Sequence, residues 1–430
     1  MNDVRFPANL KNLTPELVTA VLAPLNPGVQ VARVQVIECA RCGDGLASTA
    51  DRVTLQLEYA NGKSAGLPQR MVLKTILLHR WLRFGLPVIM MLSRLLRVLD
   101  KLPLLGRATR PLIFTLVNVY QQYFPHAPPA MYANEVRFYT ELRPHLTLQA
   151  PASYGGSFDE TTGQFGVLME DLSRRDARFP NAVDGVSLDV VRDLIKTLAA
   201  LHAAFWNSAR FNHDLAWVPT RTAGGMFPVF DTIGLDIILD QVRKNTFKQD
   251  LLAPLGLPVE QQWDALWQAQ ALLDAGPQTL LHGDTHVGNT YVLPGEKGGL
   301  LDFQLMVRGP WAHDTTYLLV TGLDVETRRK HEHELLALYR EELQRRGVID
   351  APSEAQAWRD YRLSVIWGLV IGWLITPPQN YGEPITRANI SKLVTAALDL
   401  QSFAAVNEYA DAPSPDGISV TRGRGLSGRL

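Results

Sequence analysis

The stretch from Leu280 to Gln304 constrains this chain more than any other. It reads Leu280-Leu281-His282-Gly283-Asp284-Thr285-His286-Val287-Gly288-Asn289 and runs into Tyr291-Val292-Leu293. It then turns through Gly295, Gly298 and Gly299 and ends in Leu300-Leu301-Asp302-Phe303-Gln304. Short apolar runs bounded by glycine read as buried strands. They flank an acid, an amide and a second acid. Taken singly, these residues have ordinary readings: an Asp between strands forms a turn and an Asn at a loop end caps it. His282 reads as a brace of its own loop. His286 reads as a loop brace or a solvent residue and is assigned no chemistry. The order and spacing of the whole set are what point to a site.

With 430 residues the chain is too long for one simple core, which predicts two or three packed lobes. A composition of 46% hydrophobic and 20% charged residues is that of a globular protein. The net charge of -1 provides no field for nucleic acid or for polycationic ligands. Two cysteines, Cys39 and Cys42, exclude a disulfide framework and suit a reducing compartment. Their C-x-x-C spacing lacks the second pair that zinc needs, so they read as small residues at a strand end. No signal peptide is visible and no apolar run reaches spanning length, so the expected location is cytoplasmic.

Along the chain, Thr14-Pro15-Glu16 signals a helix start, with a helix to about Leu25. Val31–Glu38, Arg52–Tyr59 and Met71–Ile76 read as strands of an antiparallel meander, the third carrying Lys74. A buried strand makes an unpaired ammonium costly, which favours a functional Lys74 over an edge charge. Gly43-Asp44-Gly45-Leu46-Ala47-Ser48 lies between the first two strands, as a plain hairpin turn or as a loop that lets backbone approach a ligand. Between 75 and 130, Arg80, Arg83, Arg94, Arg97, Lys101, Arg107 and Arg110 stand against Asp100 alone, while Leu92, Leu95, Leu96 and Leu99 repeat at helical spacing. That pattern suits an interfacial helix in peripheral contact with a membrane or lipid, a substrate lid, or a buried helix pair. Tyr132–Leu142 reads as a helix holding Glu135 and Glu141, and Gln164–Leu172 as a strand running into a polar connection. Helices are expected over 189–206, 259–274, 313–322, 325–346, 354–375 and 385–408, with a disordered tail from Asp411.

The pattern H-x-D-x-x-x-x-N, followed by a strand ending in D-F, resembles the catalytic and metal loops of kinases. Phosphoryl transfer asks the protein for an aligned hydroxyl, clamped phosphates and metal ions to take up charge. Asp284 suits the acceptor hydroxyl, and Asn289 and Asp302 suit Mg²⁺, which takes few protein ligands beside phosphate oxygens. More closely, His282–Asn289 resembles the catalytic-loop motif of aminoglycoside phosphotransferase-like kinases. Asp302-Phe303-Gln304, with Gln after Phe, is most similar to the ecdysteroid-kinase-like (CHK-like) branch. Met169-Glu170-Asp171-Leu172 resembles that branch's hinge, Leu198–Trp206 its following helix, and Gly309–Asp314 the segment after the metal loop.

The resemblance covers about residues 30–405. It implies an α+β, bilobal protein-kinase-like fold: an N-lobe over 1–168 with an antiparallel sheet, a hinge at 169–174, and a mostly helical C-lobe over 175–410. It implies ATP, or GTP, with Mg²⁺ in the cleft. Lys74 would contact the phosphates, held by Glu135 or by Glu141, with Glu135 preferred. Gly43, Gly45 and Ser48 would cover the phosphates, although Ser48 replaces the third glycine of the protein-kinase pattern. Met169, Glu170 and Asp171 would meet the nucleotide, Asn289 and Asp302 would hold metal, Asp284 would be the base, and Asp314 would brace the catalytic loop.

The expected reaction is transfer of a γ-phosphate to a small-molecule hydroxyl. The apolar run Ser364–Ile375, read as an acceptor wall or as core, and the implied branch both favour a neutral or lipophilic, sterol- or terpenoid-like alcohol. One competing reading is an aminoglycoside- or macrolide-type antibiotic phosphotransferase. Another, of a different class, is a non-catalytic nucleotide- or lipid-binding module. Protein kinase activity is disfavoured: no arginine precedes Asp284, and no A-P-E follows Asp302.

Overall fold

The computed structural model describes residues 4–42, 49–60, 62–77, 91, 95–96, 98–99, 109–116, 119, 129–225 and 227–410. The glycine loop with Gly43, Gly45 and Ser48, most of the basic segment and the tail from Asp411 lie outside the described residues.

Five strands build the first sheet: β1 (Val31–Ala40), β2 (Asp51–Tyr59), β3 (Arg70–Thr75), β4 (Ser153–Phe158) and β5 (Phe165–Glu170). Their order is β1-β2-β3-β5-β4, and every neighbouring pair is antiparallel. Alternation in β2 and β3 sends Val53, Leu55, Leu57, Met71 and Leu73 into one core with Val18, Val21 and Leu22. The last three lie on the Pro15–Leu22 helix, whose N-cap Thr14 accepts from the Leu17 N–H. β4 was not expected. Its Gly155 and Gly156 give no apolar alternation, yet a Cβ at Gly155 would stand 2.3 Å from the Val21 carbonyl oxygen, so only glycine lets that helix approach.

Helix Pro129–Arg137 widens into a π-helical turn over Phe138–Leu142. Later come β6 (Gln278–Leu281), the hairpin β7 (Thr290–Leu293) and β8 (Lys297–Leu300), and β9 (Val307–Pro310), which pairs with β6. The expected C-terminal helices are present as Ala312–Gly322, Val325–Arg345, Glu354–Trp367, Glu383–Asp399 and Ser402–Ala410. The helix expected over 354–375 changes to a π-helical turn at Gly368–Leu374. The one expected over 385–408 breaks at Gln401, which has a φ of 49°. Leu235–Lys244 and Thr246–Leu252 are helices that were not expected.

The fold is mixed α and β, with an antiparallel sheet and many helices, in two units. One comprises Met1–Phe179, Phe211–Gly234 and Asn289–Val307; the other comprises Pro180–Arg210, Leu235–Gly288 and Arg308–Leu430. The first unit includes the β7–β8 hairpin with Asn289 and Asp302. Among the described residues, no helix is long and apolar enough to cross a membrane.

Candidate active site

Within the first unit, Lys74 sits between two carboxylates. Its Nζ lies 2.8 Å from Glu135 and 3.1 Å from Asp302 Oδ1. Lys74 and Glu135 are buried, and one-fifth of the Asp302 side chain is exposed. Burial works against the Lys74 charge, but Asp302 and Glu135 outweigh it and hold the ammonium above its ordinary value. Burial pushes the Glu135 carboxyl up to about 7; Lys74 opposes that shift and Asp302 adds to it. The choice between the two glutamates follows from the helix. Glu135 is on the inward face of Pro129–Arg137, whereas Glu141, in the π-helical turn, is exposed.

Asp302 has φ 62° and ψ 68°, the left-handed region that a non-glycine residue enters at a cost of about 1–3 kcal/mol. Its neighbours hold it there. Phe303 is fully buried and stacks on Phe138 with ring centroids 3.5 Å apart, docking the loop against the chain that carries Glu135. Gln304 Oε1 accepts from the Thr49 hydroxyl at 2.9 Å, and Asn134 Nδ2 donates to the Met306 carbonyl at 3.3 Å. The Thr49–Gln304 bond joins the exit of the glycine loop to the segment after Asp302, and no spacing in the sequence signals it. Asn289 stands at the mouth of the hairpin, where its carbonyl accepts from the Leu301 N–H at 2.8 Å. The hairpin thus carries Asn289 and Asp302 at the same end.

Glu170 and Asp171 have partners within their own unit. The Glu170 carboxylate accepts from the Ala152 N–H and pairs with Arg175, and its own N–H goes to the Ala152 carbonyl. Asp171 caps the short turn Leu172–Arg175, accepting from the Ser173 N–H and hydroxyl, and pairs with Arg70. Burial would raise the Asp171 carboxyl, but Ser173 and Arg70 hold it below the usual range. Both side chains are thus engaged by neighbouring segments of the first unit. Met169 is nearly buried in β5.

In the second unit, Asp284 follows β6 on a loop anchored by Asp314. The Asp314 carboxylate accepts from the His282 N–H at 2.6 Å and the Gly283 N–H at 3.0 Å, and its carbonyl accepts from the Thr285 hydroxyl. Asp314 is in turn fixed by His202 Nε2 at 3.2 Å, and His202 Nδ1 meets the Tyr339 hydroxyl at 2.7 Å. All three are buried. Asp314 is therefore the brace of the loop, and His202, on the Leu188–Ala204 helix, is the brace of Asp314. His282 Nδ1 accepts from the Asp284 N–H. The Asp284 side chain keeps some exposure.

A family model described as the phosphotransferase enzyme family, APH, matches residues 104–358, more than half of the chain. The chain belongs to this family. It is a phosphotransferase acting on hydroxyl groups. Among solved structures, a microcompartment-associated aminopropanol kinase is similar at 14% identity and a TM-score of 0.42, over 94% of this chain and 100% of that one. The choline kinase LicA from Streptococcus pneumoniae is similar at 12% identity and a TM-score of 0.40, over 90% and 98%. A spectinomycin phosphotransferase complexed with ADP and spectinomycin is similar at 11% identity and a TM-score of 0.41, over 89% and 97%. No curated protein matches.

Proposed function

We propose that this phosphotransferase moves the γ-phosphoryl group of ATP to the hydroxyl of a small alcohol. Asp284 would serve as proton partner of the acceptor, Lys74 as phosphate clamp, and Asn289 and Asp302 as magnesium ligands. The observation that carries this reading is the buried Lys74 held between Glu135 and Asp302, on the same unit as Asn289. An ammonium fixed in that way is pre-organised for phosphate oxygens. Glu135 would hold it during the exchange of nucleotide, because its contact is fully buried.

The oxygen donors suit a hard cation. Asn289 and Asp302 are one amide and one carboxylate at a single hairpin end, and among the described residues no cluster of three acidic, His or Cys side chains competes with them. Magnesium bound there would take up charge on the phosphate oxygens. The remaining steps fall to the chain: Lys74 aligns the phosphates, and Asp284 orients the hydroxyl and accepts its proton as the new O–P bond forms and the bond from the γ-phosphorus to the β–γ bridging oxygen breaks, with ADP as leaving group. The hinge would contribute through backbone groups, with Met169 beside the base, because Glu170 and Asp171 are engaged elsewhere. The glycine loop at Gly43, Gly45 and Ser48 would close over the phosphates, with Thr49 tying its exit to Gln304.

For the acceptor we retain a neutral or lipophilic alcohol, on the near-neutral chain and the D-F-Q resemblance to the ecdysteroid-kinase-like branch. The run Ser364–Ile375 lends it no support, since Leu369, Val370, Trp373 and Leu374 are packed inside protein. Lipid contact through 75–130 is favoured by the exposed Leu112 and Leu116 beside a basic sequence. The decisive experiment is ADP release by purified protein with Mg-ATP and a panel of sterols, terpenoid alcohols, amino alcohols and antibiotics. Asp284→Ala and Asp302→Asn should each abolish turnover, and retained turnover in both would sink the assignment. Drug resistance conferred on a susceptible host would favour the antibiotic reading of the acceptor instead.

A further inference from the structure

We infer that His286 is a positioning residue for Asp284, holding its carboxylate through the Nε2 proton. The inference rests on the proposed role of Asp284 and adds a second residue to it.

The tautomer follows from a backbone bond. The Gly288 N–H donates to His286 Nδ1 at 3.1 Å. A nitrogen that accepts carries no proton, so in the neutral ring the proton is on Nε2. Nε2 is the atom that faces Asp284, at 3.9 Å from Oδ2. Contacts of this kind are often long before substrate arrives and shorten in the productive complex.

The ring has little freedom to be elsewhere. It is buried and meets Trp373, Tyr381 and Tyr317 edge-on, at centroid distances of 5.4, 5.6 and 6.0 Å. Gly288 closes a fourth side: a Cβ there would stand 2.7 Å from His286 Cε1. The aromatic walls are themselves fixed. Tyr317 lies against Gly368 and Gly372, where added Cβ atoms would come within 3.0 and 2.4 Å of its ring and hydroxyl. Trp373 belongs to the turn Gly368–Leu374, whose end receives three bonds from the Lys248 ammonium. A histidine that only filled core space would not need a fixed tautomer aimed at a carboxylate. Here packing sets the ring plane, Gly288 sets the tautomer, and the remaining edge faces Asp284 across 3.9 Å. A displacement of about 1 Å at a reacting group can cost 10²-fold in rate, which is the scale on which such a hold acts.

Two substitutions separate the nitrogens. His286→Asn retains an acceptor near Nδ1 for the Gly288 N–H and has nothing in the place of Nε2. His286→Gln places an amide N–H near Nε2. We expect His286→Asn to lower kcat by about 10²-fold, with nucleotide KM changed less than about twofold and the thermal midpoint little moved. His286→Gln should recover about tenfold of that loss. If His286→Asn folds poorly, His286→Phe keeps an aromatic ring in the cage without either nitrogen and should show the same kcat loss. Equal kcat for the Asn and Gln variants, or losses that follow thermal stability or KM, would overturn the inference. Activity surviving Asp284→Ala would instead overturn the role of Asp284. A dead Asp284→Ala beside a fully active His286→Asn would overturn the hold by His286 alone.

Discussion

Among the described residues two lysines are buried, one in each unit, and their surroundings differ in kind. Lys74 faces the carboxylates of Glu135 and Asp302. Lys248, with no exposed surface, donates to the carbonyls of Trp373, Leu374 and Thr376 at 3.2, 2.9 and 2.8 Å. The first ammonium is held above its ordinary value, while burial pushes the second down to about 7. Backbone carbonyls at a helix end satisfy the three donors of an ammonium and lie at the negative end of the dipole, but they bring no full opposing charge. Lys248 is built as a cap for the turn that holds Trp373. Lys74 is built as a cation that stays charged and partly spare, because Asp302 is still partly exposed to anything that binds there.

That contrast can be broken most severely at Lys74. Lys74→Met would leave the buried Glu135 carboxylate and the partly exposed Asp302 carboxylate without their cation, a loss of about 3–5 kcal/mol of stability. Phosphoryl transfer should fall at least about 10²-fold. Chemical denaturation and ADP release measure the two effects. If Lys74→Met retained both, Lys74 would be no more than another buried lysine.

Lys248→Met should cost less, about 1–3 kcal/mol, since methionine fills similar space and leaves only neutral carbonyls without their donor. Nucleotide KM should hardly move. The pH dependence sharpens the difference further. With a native value near 7 and an ordinary value of 10.5, the unfolded chain binds more protons than the native chain between those limits. Stability from this group therefore rises with pH from about 7 to about 10.5 and is lowest below 7, with a slope of at most about 1.4 kcal/mol per pH unit. Charge-stabilising bonds from the three carbonyls work against that slope. Denaturation midpoints of wild type and Lys248→Met should diverge as pH rises above neutral if burial dominates. A constant difference would mean that the carbonyls keep Lys248 fully charged.

The smallest effect belongs to Thr49→Val, which removes the hydroxyl given to Gln304. It should cost about 0.5–1.5 kcal/mol and raise nucleotide KM a few-fold, by freeing the exit of the glycine loop. An unchanged KM would limit that bond to stability.

Much of the candidate site was legible along the chain because the chemistry is concentrated. Asp284, Asn289 and Asp302 fall within one short stretch whose flanking apolar runs declare the strands that carry them. Lys74 was visible because a charge stood inside a strand that had to be buried. Elements with regular periodicity were legible for the same reason: the long helices and the first three strands repeat at the spacing of their own geometry. β4 was not, because its glycines answer to the approach of the Pro15–Leu22 helix rather than to any repeat along the strand. The run Ser364–Ile375 could be read as wall or as core, since an apolar residue looks the same in either setting until its neighbours are known.

By itself, the sequence determined the order and spacing of the candidate groups and roughly which elements carry them, because motif spacing and hydrophobic period are local properties. Tertiary structure decided the partners. It chose Glu135 over Glu141 through the face of one helix, gave Glu170 the Ala152 N–H and Asp171 the Ser173 N–H, and brought Gln304 to Thr49. It also gave Lys248 its three carbonyls and turned a histidine without assigned chemistry toward Asp284 inside an aromatic cage. Each of those contacts joins residues far apart in the chain or depends on side chains meeting around a ring, and their energies come from burial and charge that no local spacing records.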